Sequence, residues 1–159
     1  MKNSEVRDLI QYACDMNGRP DIAGRINLKW SNRMTRAMGI ASWRSGQYTI
    51  KLSIPLFLRA TEDQKWQTVI HEACHIIDAI KNEVRMSHGD SWKRCMRACG
   101  TKPLVYHSVS CAGLRKTWKF HCPECKRVFE LSTTIRNKIC RGQKRVCMKC
   151  RQQIVWGEP

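Results

Sequence analysis

Apolar residues recur along this 159-residue chain with two different periods, and the changes of period mark out its elements. From Thr61 to Lys81 the positions Trp66, Val69, Ile70, Ala73, Ile77 and Ile80 return every three or four residues, which predicts an amphipathic helix with one face in a core. Thr61 and Gln64 stand in capping-box positions, and Glu62 and Asp63 place negative charge in the first turn, so the helix should begin at Thr61 and end near Asn82. Ser4 to Met16 repeats the pattern on a smaller scale with Val6, Leu9, Ile10 and Ala13, and Asn17, Gly18 and Pro20 stop it. A further helix is expected from a cap at Asp90 or Ser91 through Gly100, with Trp92, Cys95, Met96 and Cys99 as its stripe.

Between the first two helices the period falls to two. Arg25 to Trp30 alternates with Ile26, Leu28 and Trp30 on one face, and Tyr48 to Ile54 does so with Tyr48, Ile50, Leu52 and Ile54. Ile40 to Trp43 supplies another strand, and the tight turn at Ser45 and Gly46 joins it to the last one as a hairpin. The pattern predicts an α+β fold built on a small antiparallel sheet of about three strands, ended by Pro55, with no internal repeat or low-complexity segment.

The long helix carries His71, Glu72 and His75 beside its apolar stripe. Histidines four residues apart stack on one side of a helix, so both can donate a ring nitrogen to one metal ion while the glutamate between them stays unligated. In this HExxH pattern the two histidines hold zinc, the ion acidifies a water, and the glutamate takes that water's proton as it attacks a carbonyl. The bland alternative is a helix with two ordinary surface histidines. A third ligand is required, and His88 is the best placed, because the segment after Asn82 can turn and return, with Gly89 permitting a close approach. Glu83 lies too soon after the helix end to fold back without strain. The metzincin spacing is excluded, because Asp78 and Lys81 occupy the positions where it needs glycine and histidine. Asp78 is expected either to orient a ligand histidine or to sit solvated on the helix. Tyr106, His107 and Arg97 are the candidates for stabilising an oxyanion.

The C-terminal segment holds Cys122 and Cys125, then Cys147 and Cys150, two CxxC pairs about twenty residues apart, which read as a four-thiolate zinc ribbon. His121 and Cys140 are nearby competitors that lack the paired spacing. So small a segment needs its metal to fold.

Composition then narrows the partners. The ten cysteines suit metal thiolates in a reducing compartment rather than disulfides, because no apolar leader opens the chain and no stretch is long enough to span a bilayer. A soluble, monomeric protein of the cytoplasm is expected, associated with the nucleoid or, if the chain is viral, in the host cytoplasm. The formal charge of +16 attracts polyanions and makes nucleic acid the leading partner. Residues 101–159 carry 13 Lys and Arg against 3 Asp and Glu, so the field is assigned to the C-terminal third. Basic residues there track phosphates, while Phe129, Trp118 and Trp156 offer rings for unpaired bases. No sequence-specific readout follows.

The order of helix, short sheet, HEACH helix and a second helix opened by HGDSW resembles the SprT family of zinc metalloproteases, and MGIASWRSGQYTIKLS resembles that family's strand segment. The likeness runs from about Ile22 to the C-terminus. It implies a small zincin-like metalloprotease domain over residues 1–114 and a basic four-cysteine zinc ribbon over 115–159. It also implies metal ligands at His71, His75 and His88, a general base at Glu72, and action on proteins attached to DNA. The competing expectation is a nucleic-acid-binding zinc regulator with a structural or idle HExxH site.

Overall fold

A computed structural model of the chain describes residues 1–106 and 108–157 and divides into two compact units, residues 1–111 and the remainder. The first unit opens with α1 (Asn3–Met16), which buries Val6, Ile10, Ala13 and Cys14, and a 3-10 turn at Pro20–Arg25 leads into β1 (Ile26–Ser31). The strands β2 (Gly39–Arg44) and β3 (Gln47–Ser53) form the expected hairpin, with Ser45 and Gly46 both at positive φ in its turn.

The sheet is mixed, not antiparallel. Its order is β1-β3-β2, and β1 runs parallel to β3. The reason lies in the connection between β1 and β2. Because β1 ends opposite Ser53 and β2 begins opposite Leu52, residues 32–38 need only cross the end of β3, about 10 Å at ordinary strand spacing. An antiparallel β1 would oblige the same short link to run back along the whole strand as well. Ser53 fastens the crossing: its hydroxyl donates to the Met34 carbonyl at 2.6 Å and its amide to the Met38 carbonyl at 2.8 Å.

A single turn, α2 (Ile54–Phe57), is capped by the same Ser53. The long helix α3 (Glu62–Lys81) follows with both capping-box hydrogen bonds made, Gln64 N–H to Thr61 Oγ1 at 3.2 Å and Thr61 N–H to Gln64 Oε1 at 2.9 Å. Helix α4 (Asp90–Ala98) starts from Gly89 rather than from a side-chain cap, and buries Trp92, Cys95 and Met96. Ile10, Ile22, Ile26, Ile50, Leu52, Ile70, Ile76 and Ile77 are almost inaccessible, and with Trp92 they form the core of this unit.

The second unit has its own sheet, order β5-β4-β6, of β4 (Thr117–His121), β5 (Val128–Ser132) and β6 (Val155–Trp156). Helix α5 (Thr133–Cys140), which apolar periodicity did not indicate, is capped by Ser132 and buries no residue completely. Phe120, Cys122, Cys147 and Ile154 are the buried centre of this unit. Among the described residues no helix is long and apolar enough to cross a membrane.

Candidate metal centre and cleft

Helix α3 presents His71 and His75 one turn apart, and the segment between α3 and α4 returns His88 to them. The three Nε2 atoms stand 3.1 to 3.2 Å from one another. Tetrahedral coordination with metal–nitrogen bonds of about 2.0–2.1 Å separates ligand nitrogens by about 3.3 Å, so this donor set fits one zinc ion with a fourth position left over. All three imidazoles favour the neutral form that a ligand needs. Burial, then the neighbouring imidazoles, hold His75 down to about 3; burial, then His88, hold His71 down to about 4, and burial lowers His88 as well.

The rings are fixed from outside. His71 Nδ1 lies 3.1 Å from the Leu104 carbonyl, so the tautomer that donates there leaves Nε2 bare for a metal. Trp92 lies under all three rings, with centroids 4.6 to 5.2 Å away, stacking on His75 and meeting the other two edge to face. His75 Nδ1 is buried without a hydrogen-bond partner of good geometry among the described residues.

Glu72 reaches toward β2. Its Oε2 accepts the Ala41 amide at 2.6 Å, a donor that an edge strand leaves free for want of a further neighbour. Burial raises its carboxyl to about 7, opposed by that amide. Gly39 makes the contact possible: a Cβ there would stand 2.5 Å from Glu72 Cγ. Sequence reasoning missed Gly39, Ala41 and Leu104, although a glycine inside a strand is a known sign of close backbone approach. A cleft of about 750 Å³ joins these groups, with Ile40, Tyr106 and Val109 on its walls.

The remaining candidates divide between the cleft and other parts of the unit. Asp78 is 1% exposed, so it is not solvated, and neither of its donors is a ligand histidine: it accepts from Asn82 Nδ2 at 2.7 Å and Ser91 Oγ at 3.1 Å, tying α3 to α4. Glu83 is exposed and outside the histidine cluster. Tyr106 lines the cleft at 89% exposure, Arg97 does not line it, and His107 lies outside the described residues.

In the second unit Cys122, Cys125, Cys147 and Cys150 converge, with Sγ atoms 3.3 Å apart for Cys122 and Cys150 and 3.6 Å for Cys125 and Cys147. Two matching knuckles produce this. After each pair the chain enters the left-handed region, at Lys126 and Arg151, and folds its amide back to the first cysteine's carbonyl. Backbone amides of Cys150 and Lys149 lower the Cys147 thiol to about 6, and that of Cys125 lowers Cys122, so these two favour thiolate; Cys150 goes the other way, pushed up to about 12 against the Gln152 amide by its hydrogen bonds to the neighbouring cysteines and by burial. Four sulfurs so gathered fit a tetrahedral zinc. His121 instead faces the Gly157 carbonyl, and Cys140 is exposed at the end of α5.

A model of the SprT-like family matches residues 7–137. Protein SprT of Pseudomonas fluorescens is 26% identical over 163 residues, covering 97% of this chain and 93% of the relative. Human germ cell nuclear acidic protein is 25% identical over 160 residues, 93% of this chain and 23% of that protein. The DNA-dependent metalloprotease SPRTN of Danio rerio is 34% identical over 91 residues, 52% of this chain and 14% of its own length. The chain thus spans nearly all of the bacterial relative and less than a quarter of the two animal ones.

Proposed function

The chain belongs to the SprT-like family, and from that membership and its cleft we propose that it is a zinc-dependent metalloendopeptidase acting on proteins associated with DNA. Relatives named DNA-dependent metalloproteases support a metalloprotease role at the level of the family. The observation that carries the finer reading is the tripod of His71, His75 and His88 nitrogens, 3.1 to 3.2 Å apart, in one cleft with a carboxylate, Glu72, that is not part of the cluster.

We read the first unit, through about residue 114, as a zincin-like protease domain, and residues 115–159 as a four-cysteine zinc ribbon that contacts DNA without sequence specificity. A zinc ion on the histidines would acidify a water and polarise the scissile carbonyl. Glu72 is the general base. With Oε2 held by the Ala41 amide, the proton of the attacking water goes to Oε1 and is delivered from there to the departing amine. Leu104 keeps His71 in the donating tautomer, and the Trp92 ring keeps the three imidazoles from turning.

The test is Glu72→Gln in the zinc-loaded protein with a DNA-bound protein as substrate. Zinc content should be unchanged while cleavage falls about 10²- to 10⁴-fold, the usual contribution of a general base. Cleavage at the parent rate would show that Glu72 is not the base, and a zinc-loaded parent that cleaves nothing would favour the regulator with an idle site.

A further inference from the structure

Between Asp21 and Glu62 the chain has no acidic residue and seven basic ones, Arg25, Lys29, Arg33, Arg36, Arg44, Lys51 and Arg59, all exposed. Much of that segment is the sheet of the first unit. Strand alternation sends Ile26, Leu28, Ile50 and Leu52 inward, and so turns Asn27, Lys29, Thr49, Lys51, Ser42 and Arg44 outward. Among the described residues no helix covers that outer face: Lys29, Lys51, Ser42 and Arg44 are exposed, and Asn27 and Thr49 half-buried.

Register makes the arrangement specific. Lys29 and Lys51 are direct partners on the parallel strands β1 and β3, and Ile40 of β2 completes their row. Like charges placed directly across a sheet destabilise it. Among the described residues neither lysine has a carboxylate partner, nor has Arg44, which lies four residues beyond Ile40 on β2, about 13 Å along the strand. A fold that keeps two unpaired lysines side by side on an open face gains when an anion neutralises them.

We propose that the open face of the β1-β3-β2 sheet is a second nucleic-acid contact, built on Lys29, Lys51 and Arg44, which binds the phosphate backbone. This rests on the DNA reading above and places part of the DNA surface on the protease unit itself. The chemistry favours a phosphate chain over an acidic protein. Lysine and arginine separated by small Ser, Thr and Asn side chains is the donor set that phosphates use, and apart from Ile40 at its edge the face lacks the large apolar anchors of a protein interface. Ile40 belongs to both the face and the cleft wall, so DNA on this face lies at the rim where a protein attached to it would be cleaved.

The experiment uses the full zinc-loaded chain and a fluorescent DNA duplex over a salt series. Each phosphate contact contributes about 0.9 to the slope of log affinity against log salt, so Lys29→Gln, Lys51→Gln and Arg44→Gln together should lower the slope by about 2 to 3. Arg85→Gln, Arg94→Gln and Arg97→Gln remove the same charge from the α3–α4 side and should leave the slope within about 1 of the parent. The parent slope in the sheet variant, or an equal drop in both variants, overturns the proposal while the DNA reading stands. A parent protein that binds no duplex at any salt overturns both. Equal thermal stability of the three proteins shows that all are folded, as exposed substitutions that relieve repulsion should be.

Discussion

Gly39 has no room for a side chain, and that makes it the residue on which the position of Glu72 depends. A methyl group there would stand 2.5 Å from Glu72 Cγ and 2.8 Å from Oε1, so Gly39→Ala must swing the carboxylate away from the Ala41 amide. The histidines are untouched. Zinc content should therefore stay at the parent level while kcat falls on the order of 100-fold, the cost of misplacing a reacting group by about 1 Å, and KM changes little. A variant with parent kcat would show that Glu72 tolerates displacement. The contrast with the histidines explains what could be read in advance. His71 and His75 announce themselves because their spacing matches one helical turn, whereas Ala41 meets Glu72 across 31 residues of sequence and does so through its backbone, which leaves no trace in residue type.

Among the elements, the joint between α3 and α4 decides whether His88 arrives at the metal centre, and Asp78 is its fastening. With Asn82 it holds the end of α3, and through Ser91 it holds the first turn of α4, just beyond His88. Asp78→Ala leaves both donors without their acceptor, and since hydrogen bonds to a charged group contribute about 1.5–3 kcal/mol each, a loss of about 2 kcal/mol or more is expected. Thermal unfolding should show a fall in Tm on the order of 10 °C, and zinc titration a weaker histidine site. Asp78→Asn, which keeps an acceptor oxygen, should recover part of both. Parent stability in Asp78→Ala would mean that α4 is held by Trp92 and its neighbours alone. The helices were legible because caps and periodic stripes are local: Thr61 and Gln64 fix the start of α3 whatever surrounds it. The strands and the β2–β3 hairpin were legible for the same reason, but the direction of β1 was not. Whether β1 runs with or against β3 depends on where residues 32–38 lead, and no local pattern encodes that. Helix α5 escaped because only Ile135 and Ile139 mark its apolar side, too little for a periodic signal.

At the scale of the molecule the two units differ in what holds them. The first has a core of isoleucines, leucines and Trp92 that needs no metal, whereas two of the four buried centres of the second are cysteines of its four-thiolate cluster. Removing one ligand should therefore unfold only the second unit. Cys147→Ser in the full chain should lose one of two zinc equivalents and the amide-exchange protection of residues 117–156, while the first unit keeps its melting transition and its histidine zinc. DNA binding then separates the two surfaces. The C-terminal unit contributes a large share of the +16 net charge, so affinity at low salt should fall by one to a few powers of ten, on the order expected when several phosphate contacts are lost. It should not vanish, because Lys29, Lys51 and Arg44 remain on an intact sheet, and the residual binding should retain a salt slope of about 2 to 3. Complete loss of binding in a variant whose first unit still melts normally would assign every DNA contact to the second unit, and unfolding of both units together would show that the cysteine cluster supports the first unit as well.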